Sequence, residues 1–285
     1  MGGRALNILS VDVEELYHAE YVRASAARWA HLLRPRALEG LNIVLDLLRE
    51  CKAEATFFFV GEVAEASPGV LEELEGLGHE VGFHGYHHRP LWEMGPEELR
   101  DEVRAFRRLS RVRCEGFRAP SFSLDLRTAW ALRVLAEEGF TYDSSIFPAR
   151  TPLYGLPGAP ARPYKPSLSD PRLEDERSPI WEFPATLLEL GPLRVPLCGG
   201  FYLRLTPADL IVGAVRRLNR HGQPAILYVH VWELDPKAGR VPLQSPWRTF
   251  VTYYNLGGVA VKLRHILRRA RFTSFRSFME REGLL

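Results

Sequence analysis

Short apolar runs alternate with helix-spaced segments along the first half of this chain, and polar or charged residues stand where the apolar runs end. Leu6–Val13 is a β-branched apolar stretch bounded by polar residues, the pattern of a buried strand. Leu38, Leu41, Val44, Leu45 and Leu48 then follow helical spacing up to Cys51. Residues 55–60 predict a second buried strand, and Ser67 with Pro68 suits the cap and first turn of a helix ending near Gly76 or Gly78. Residues 79–84 predict a third strand. Pro96 opens a helix with Leu99, Val103 and Phe106 on one face, and residues 115–118 predict a fourth strand. Residues 128–138 read as helix before the segment 140–143. This alternation dictates parallel strands joined by crossover helices, hence an α/β barrel or an open doubly wound sheet.

The pattern breaks between residues 147 and 196, where eleven of the twenty-one prolines fall. Proline removes the donors that strand ladders need, so this stretch predicts an irregular insertion on one rim. Helical spacing resumes over 207–218, residues 225–230 predict a strong strand, and a basic helix over 259–271 precedes a last apolar segment. That helix offers Lys262, Arg264, Arg268, Arg269 and Arg271 to an anionic lipid or polyanionic glycan, or simply to water. The expectation is one domain over 1–285, with the rim at 147–196 and a helical extension at 247–285. A content of 46% hydrophobic and 25% charged residues excludes disorder and fibrous classes. Thirty-seven basic against thirty-five acidic residues leave +2, no field for nucleic acid. Cys51, Cys114 and Cys198 lack CxxC spacing, so they predict buried free thiols in a reducing compartment. No apolar run reaches the roughly 18–20 residues of a membrane span, and acidic residues follow the N-terminus almost at once, so a cytoplasmic location is expected.

The chemistry-bearing residues cluster at predicted strand ends. Asp12 and Glu14 are two apart and share a face in extended chain; carboxylates there must be paired, solvated or bound to a cation. His84, His87 and His88 follow the third strand, with His84 and His88 spaced to meet on one helical turn. Two imidazoles and one carboxylate form a facial metal site that leaves positions open for water and substrate. Arg118 ends the fourth strand and can orient a carboxylate bidentately. Asp143 follows the next predicted strand, where a helix cap is the alternative, and His230 ends an apolar strand as a general-acid candidate or a core histidine. In α/β barrels the C-terminal ends of the strands carry the active site.

The order of these motifs resembles the polysaccharide deacetylase family, also called the NodB-homology domain or carbohydrate esterase family 4. Ser10-Val11-Asp12-Val13-Glu14-Glu15 resembles its first motif, His84-Gly85-Tyr86-His87-His88 its metal pair, Arg118-Ala119-Pro120 its third motif, and Leu227-Tyr228-Val229-His230 its fifth, with one extra residue. Tyr142-Asp143-Ser144-Ser145 and Tyr253-Tyr254-Asn255-Leu256 resemble a subgroup linked to bacterial exopolysaccharide gene clusters. Many members carry adjacent aspartates in the first motif, so here the metal carboxylate is Glu14 or its rival Glu15, and Gly85 stands where Ser or Thr is common.

The resemblance implies a distorted (β/α)7-like barrel that hydrolyses N-acetyl groups from a sugar polymer or its precursor, with a divalent metal, zinc first among the candidates, on Glu14, His84 and His88. It further implies Asp12 as base held by Arg118, His230 as acid partnered by Asp143, and the Ser121 backbone beside the oxyanion. Tyr86, Phe122 and Trp232 are expected to stack on a pyranose ring. A metal amidase or imidase acting on small nitrogenous substrates and a catalytically idle glycan-binding relative are the alternatives.

Overall fold

Side-chain alternation along β1 (Leu6–Val13) builds the architecture. Leu9, Val11 and Val13 pack into the outer core with Leu41, Val44 and Leu48 of the helix Ala37–Cys51, while Ile8 joins an inner cluster with Phe58, Tyr142 and Phe275. Ser10 and Asp12 therefore face inward with Ile8. The computed structural model describes residues 5–190, 193–197 and 199–285. The other strands are β2 (Thr56–Phe59), β3 (Glu80–Phe83), β4 (Cys114–Phe117), β5 (Tyr142–Asp143), β6 (Trp181–Glu182), β7 (Leu187–Leu190), β8 (Leu193–Pro196), β9 (Ile226–His230) and β10 (Arg271–Thr273).

β1 pairs in parallel with β2, β9 and β10, and the sheet continues through β3, β4 and β5 to β6. No ladder joins β6 to β9 among the described residues. Thr186 spans that gap instead, its N–H donating to the Ile226 carbonyl at 3.3 Å and its hydroxyl accepting from the Ile226 N–H at 2.7 Å. The result is the distorted, incompletely closed (β/α)7-like barrel that the motifs imply. β9 and β10 come from late in the chain yet flank β1, so the two halves of the sequence share one sheet.

The interior is filled by rings, with Tyr142 and Phe275 centroids 4.8 Å apart and Phe58 5.8 Å from Phe275. Gly116 makes this possible, because a Cβ there would lie 2.0 Å from the Tyr142 ring. Gly116→Ala is accordingly expected to lower unfolding free energy by about 1–3 kcal/mol through overpacking, measurable by urea denaturation.

Several expectations change. No helix starts at Ser67–Pro68: a short helix Gly61–Glu65 precedes, Gly69 takes a left-handed φ of 85°, and the next helix runs Val70–Gly76. The 147–196 segment is not wholly irregular, since β6 joins the sheet and β7 and β8 form an antiparallel hairpin. The basic helix stops at Leu267, and Arg271 opens β10. Much of its charge is used internally: Arg264 and Arg268 reach Glu50 at 3.0 and 2.5 Å, and the Lys262 ammonium donates to the Leu203, Arg204 and Thr206 carbonyls. Cys51 and Cys114 are free but only half-buried, with the Cys114 thiol pushed up to about 12 by burial, and Cys198 lies outside the described residues. Among the described residues no helix is long and apolar enough to cross a membrane.

Candidate active site

Asp12 reaches the open end of the barrel on the inner face of β1, and β4 delivers Arg118 beside it. The Arg118 Nη1 donates to Asp12 Oδ1 at 2.7 Å, with the arginine side chain fully buried. Its Nε and Nη2 donate to the Ser144 carbonyl and hydroxyl at 3.0 and 2.9 Å, and its guanidinium stacks 4.4 Å above the Phe58 ring. Every edge of the cation is therefore met by an acceptor or a π face, which a charge without water requires.

Glu14 continues the two-residue period one step past Asp12. The ligand atoms of Glu14, His84 and His88 all lie within 4.8 Å of one another, and all three residues are buried. Glu14 Oε2 is 2.5 Å from His88 Nε2 and 3.9 Å from His84 Nε2. The histidines converge through a loop rather than the expected helical turn, with Gly85 at φ 74° and His88 at φ 50°. His84 Nδ1 lies 2.7 Å from the Arg118 carbonyl, which can only accept, so the proton sits on Nδ1 and Nε2 keeps its lone pair for the site. Burial, which outweighs the neighbouring carboxylates, pushes the His84 imidazole down to about 4, so it stands neutral as a ligand must. Burial alone would raise Glu14, yet the adjoining His88, through charge and hydrogen bond, and then His230 hold it well below the usual carboxylate range. An anionic carboxylate and a neutral imidazole with a free lone pair are the donors that a borderline-soft divalent ion takes. The residues fit such a group.

Glu15 is excluded from this set. Its two oxygens accept from the Arg36 and Ala37 N–H groups at 2.7 and 2.9 Å, capping the helix Ala37–Cys51. His87 is exposed and pairs with Glu62 at 2.7 Å. The sequence had not marked His18, a buried imidazole stacked 5.1 Å from His88.

His230 ends β9 and faces the same cleft, its Nε2 3.8 Å from Asp12 Oδ2 and 3.9 Å from Glu14 Oε1. Its expected partner, Asp143, is elsewhere. The Asp143 carboxylate accepts from the Ser145 hydroxyl and adjoins Glu182, and burial raises both carboxyl groups, Glu182 further through the Asp143 charge. His230 instead has its Nδ1 2.9 Å from Glu233 Oε2, and Glu233 Oε1 accepts from buried Arg204 Nε at 2.7 Å. Burial pushes the imidazole down, but the charge and hydrogen bond of Glu233, with Glu14 and Asp12, outweigh it and raise His230 to about 9. Sequence reasoning missed Glu233; the signal that could have found it is its spacing three residues after His230, whose N–H its carboxylate also accepts. Arg204 left no local signal, because it lies 29 residues away in sequence.

The rings marked for sugar stacking do not present open faces. Tyr86 is buried away from the cleft, its N–H donating to Glu102 at 2.7 Å. Phe122 lines the cleft but packs over Arg118, and Trp232 stacks on His230 while its Nε1 donates to Glu14 Oε1 at 3.0 Å. Ser121 also lines the cleft. Its φ is 55° and that of Phe122 is 48°, two strained non-glycine residues in succession, and its hydroxyl donates to Glu20 at 3.0 Å.

Residues 39–142 match the polysaccharide deacetylase family model, and residues 144–280 match a domain of unknown function, DUF3473. A peptidoglycan-N-acetylglucosamine deacetylase of Bacillus cereus is 35% identical over 66 residues, covering 23% of this chain and 24% of the relative. A peptidoglycan-N-acetylmuramic acid deacetylase of Bacillus subtilis is 30% identical over 103 residues, 35% of this chain and 38% of its own length. A chitooligosaccharide deacetylase of Bradyrhizobium is 35% identical over 71 residues, 25% and 32%. The chain thus spans between about a quarter and two fifths of these relatives. A solved structure from Mycobacterium smegmatis, assigned as a polysaccharide deacetylase, superposes with a TM-score of 0.57 at 16% identity over 100% of this chain and 94% of the other, which is a likeness of fold. Family match, relatives and fold agree with the motif order: over residues 39–142 the chain is similar to the polysaccharide deacetylase family, the NodB-homology group or carbohydrate esterase family 4.

Proposed function

We propose that this protein is a metal-dependent hydrolase that removes N-acetyl groups from a sugar polymer or its precursor. The observation that carries the proposal is the convergence, on one barrel rim, of a carboxylate clamped by arginine, a Glu-His-His donor set and a carboxylate-held histidine. Named relatives that deacetylate peptidoglycan and chitooligosaccharides supply the substrate class. Glu14, His84 and His88 would hold a divalent cation, for which zinc is proposed. When bound, such an ion polarises the acetyl carbonyl and makes water more acidic.

The chain's own residues do the rest. Arg118 fixes Asp12 Oδ1, leaving Oδ2 towards the cleft to take the proton of water attacking the amide carbon. Ser121, on the cleft wall, has its backbone beside the developing oxyanion. His230, oriented by Glu233, carries a proton on Nε2 and delivers it to the departing amine, which could not leave as an anion. Trp232 holds one Glu14 oxygen, and the other turns towards His84 and His88. An exopolysaccharide setting is proposed from the Tyr142-Asp143-Ser144-Ser145 and Tyr253-Tyr254-Asn255-Leu256 stretches, and a cytoplasmic one from the free thiols of Cys51 and Cys114.

Chelation followed by zinc addition tests the proposal. Acetate release from N-acetylglucosamine oligomers is expected to vanish on chelation and return with stoichiometric zinc. Activity that survives chelation would remove the metal from the mechanism. Preferential turnover of small amides over acetylated glycans would favour an amidase, and no turnover of either with metal bound would leave a glycan-binding relative.

A further inference from the structure

An aromatic surface open to solvent lies beside the cleft, on the helix Pro246–Tyr253 and the residue after it. Trp247, Phe250 and Tyr254 are 55%, 40% and 37% exposed, whereas Tyr86, Phe122 and Trp232 are all at or below 9%. Phe201 connects this surface to the site. It lines the same cleft as Asp12 and His230, and its ring centroid lies 6.2, 5.6 and 6.5 Å from those of Trp247, Phe250 and Tyr254. Val251 and Thr252, which follow Phe250 on the same helix, also line the cleft. The patch is therefore continuous with the catalytic wall.

Its chemistry narrows the occupant. Three flat rings in water form an apolar patch of the kind that marks a binding surface. The side chains between and before them, Arg248, Thr249 and Gln244, are hydrogen-bonding groups. Rings edged by polar groups suit a ligand that has apolar C–H faces and a hydroxylated rim, which is what a pyranose offers. A membrane-surface helix would carry several basic residues on its polar face, and this one has Arg248 alone, whose guanidinium sits 5.3 Å above the Tyr21 ring.

Resting on the deacetylase reading, we infer that Trp247, Phe250 and Tyr254 form a stacking platform for sugar units next to the one whose acetamido group occupies the cleft. The substrate is then an oligomer or polymer, and the late part of the chain selects it by length. Because the platform lies outside the reacting centre, its contacts are the same in ground and transition states and affect KM rather than kcat.

The test is the double variant Trp247→Ala/Phe250→Ala, assayed with zinc on single N-acetylglucosamine and on its hexasaccharide. The expected result is a KM for the hexasaccharide raised about tenfold, the loss of roughly one interfacial anchor, with kcat and the kinetics on the single sugar unchanged. Calorimetric titration of metal-stripped protein with the hexasaccharide reads the platform without turnover, and the variant should bind about tenfold more weakly there too. Equal affinity of variant and wild type in that titration, or losses of the same size on both sugars, overturns the inference. Absence of turnover by wild type, with the affinity difference intact, would instead overturn the hydrolase reading and leave the platform standing. Loss of co-sedimentation with phosphatidylcholine vesicles, at unchanged sugar affinity, would reassign the patch to a membrane and also overturn it.

Discussion

Replacing His230 with alanine is expected to lower kcat for acetate release by about 10²–10⁴-fold, the contribution of a positioned general acid, while the metal content of the purified protein stays unchanged. The size follows from the leaving group: an amide nitrogen must be protonated before the C–N bond breaks, and among the described residues His230 alone has an imidazole on the cleft held outside the Glu14, His84 and His88 set. Its Nε2 points to the carboxylates of Asp12 and Glu14 at 3.8 and 3.9 Å, so the proton lies on the cleft side. Glu233→Gln should give a smaller loss, about 10–100-fold, as expected when a carboxylate that orients a histidine is removed. Acetate release with parallel metal analysis checks both variants. Loss of bound metal from His230→Ala would make His230 a ligand and remove the acid assigned here.

Arg118→Met is expected to destabilise the fold by about 3–5 kcal/mol, because it strands the Asp12 carboxylate in the barrel without its cation. Both side chains are essentially without solvent, at 0% and 2% exposure, which separates this pair from the many surface ion pairs of the chain. The methionine fills much of the arginine's volume, so the cost reports charge rather than a cavity. Adding Asp12→Asn should recover part of the loss, since the anion that Arg118 neutralised is then gone, and urea denaturation of the four proteins in the cycle measures the coupling. A cost below about 1 kcal/mol for Arg118→Met would mean that the pair is hydrated and that Asp12 is not held by it. Both Asp12 variants should be inactive, so stability and turnover are read separately.

The legibility of the site divides along the range of the interactions involved. Asp12 and Glu14 could be placed on one face because strand period is a local property, and β1 realises it. His84 and His88 could be paired by spacing, although the loop that brings them together uses left-handed backbone at Gly85 and His88 instead of a helical turn. The choice between Glu14 and Glu15 was not local: it is made by the N-terminus of the helix Ala37–Cys51, whose free N–H groups claim Glu15. Asp143 as partner of His230 failed for the same kind of reason. Asp143 was chosen as the polar residue at the next strand end, but the barrel turns it towards Glu182 and Ser145, while Glu233 lies one turn beyond His230.

What the residue order determined by itself was the alternation of strands and helices, the rim on which strand ends gather, and which ionisable residues stand there, because hydrophobic period and strand polarity are written within a few residues of each other. Only the tertiary structure decided who meets whom. Arg204 reaches Glu233 across 29 residues and Arg118 reaches Asp12 across 106, distances in sequence over which no local pattern carries information. It also decided which aromatics are covered: Phe122 and Trp232 are buried against Arg118 and His230, and Trp247 and Phe250 are left in water. A ring is sticky wherever it occurs in a sequence, but whether it packs or binds depends on the surface that folding leaves beside it.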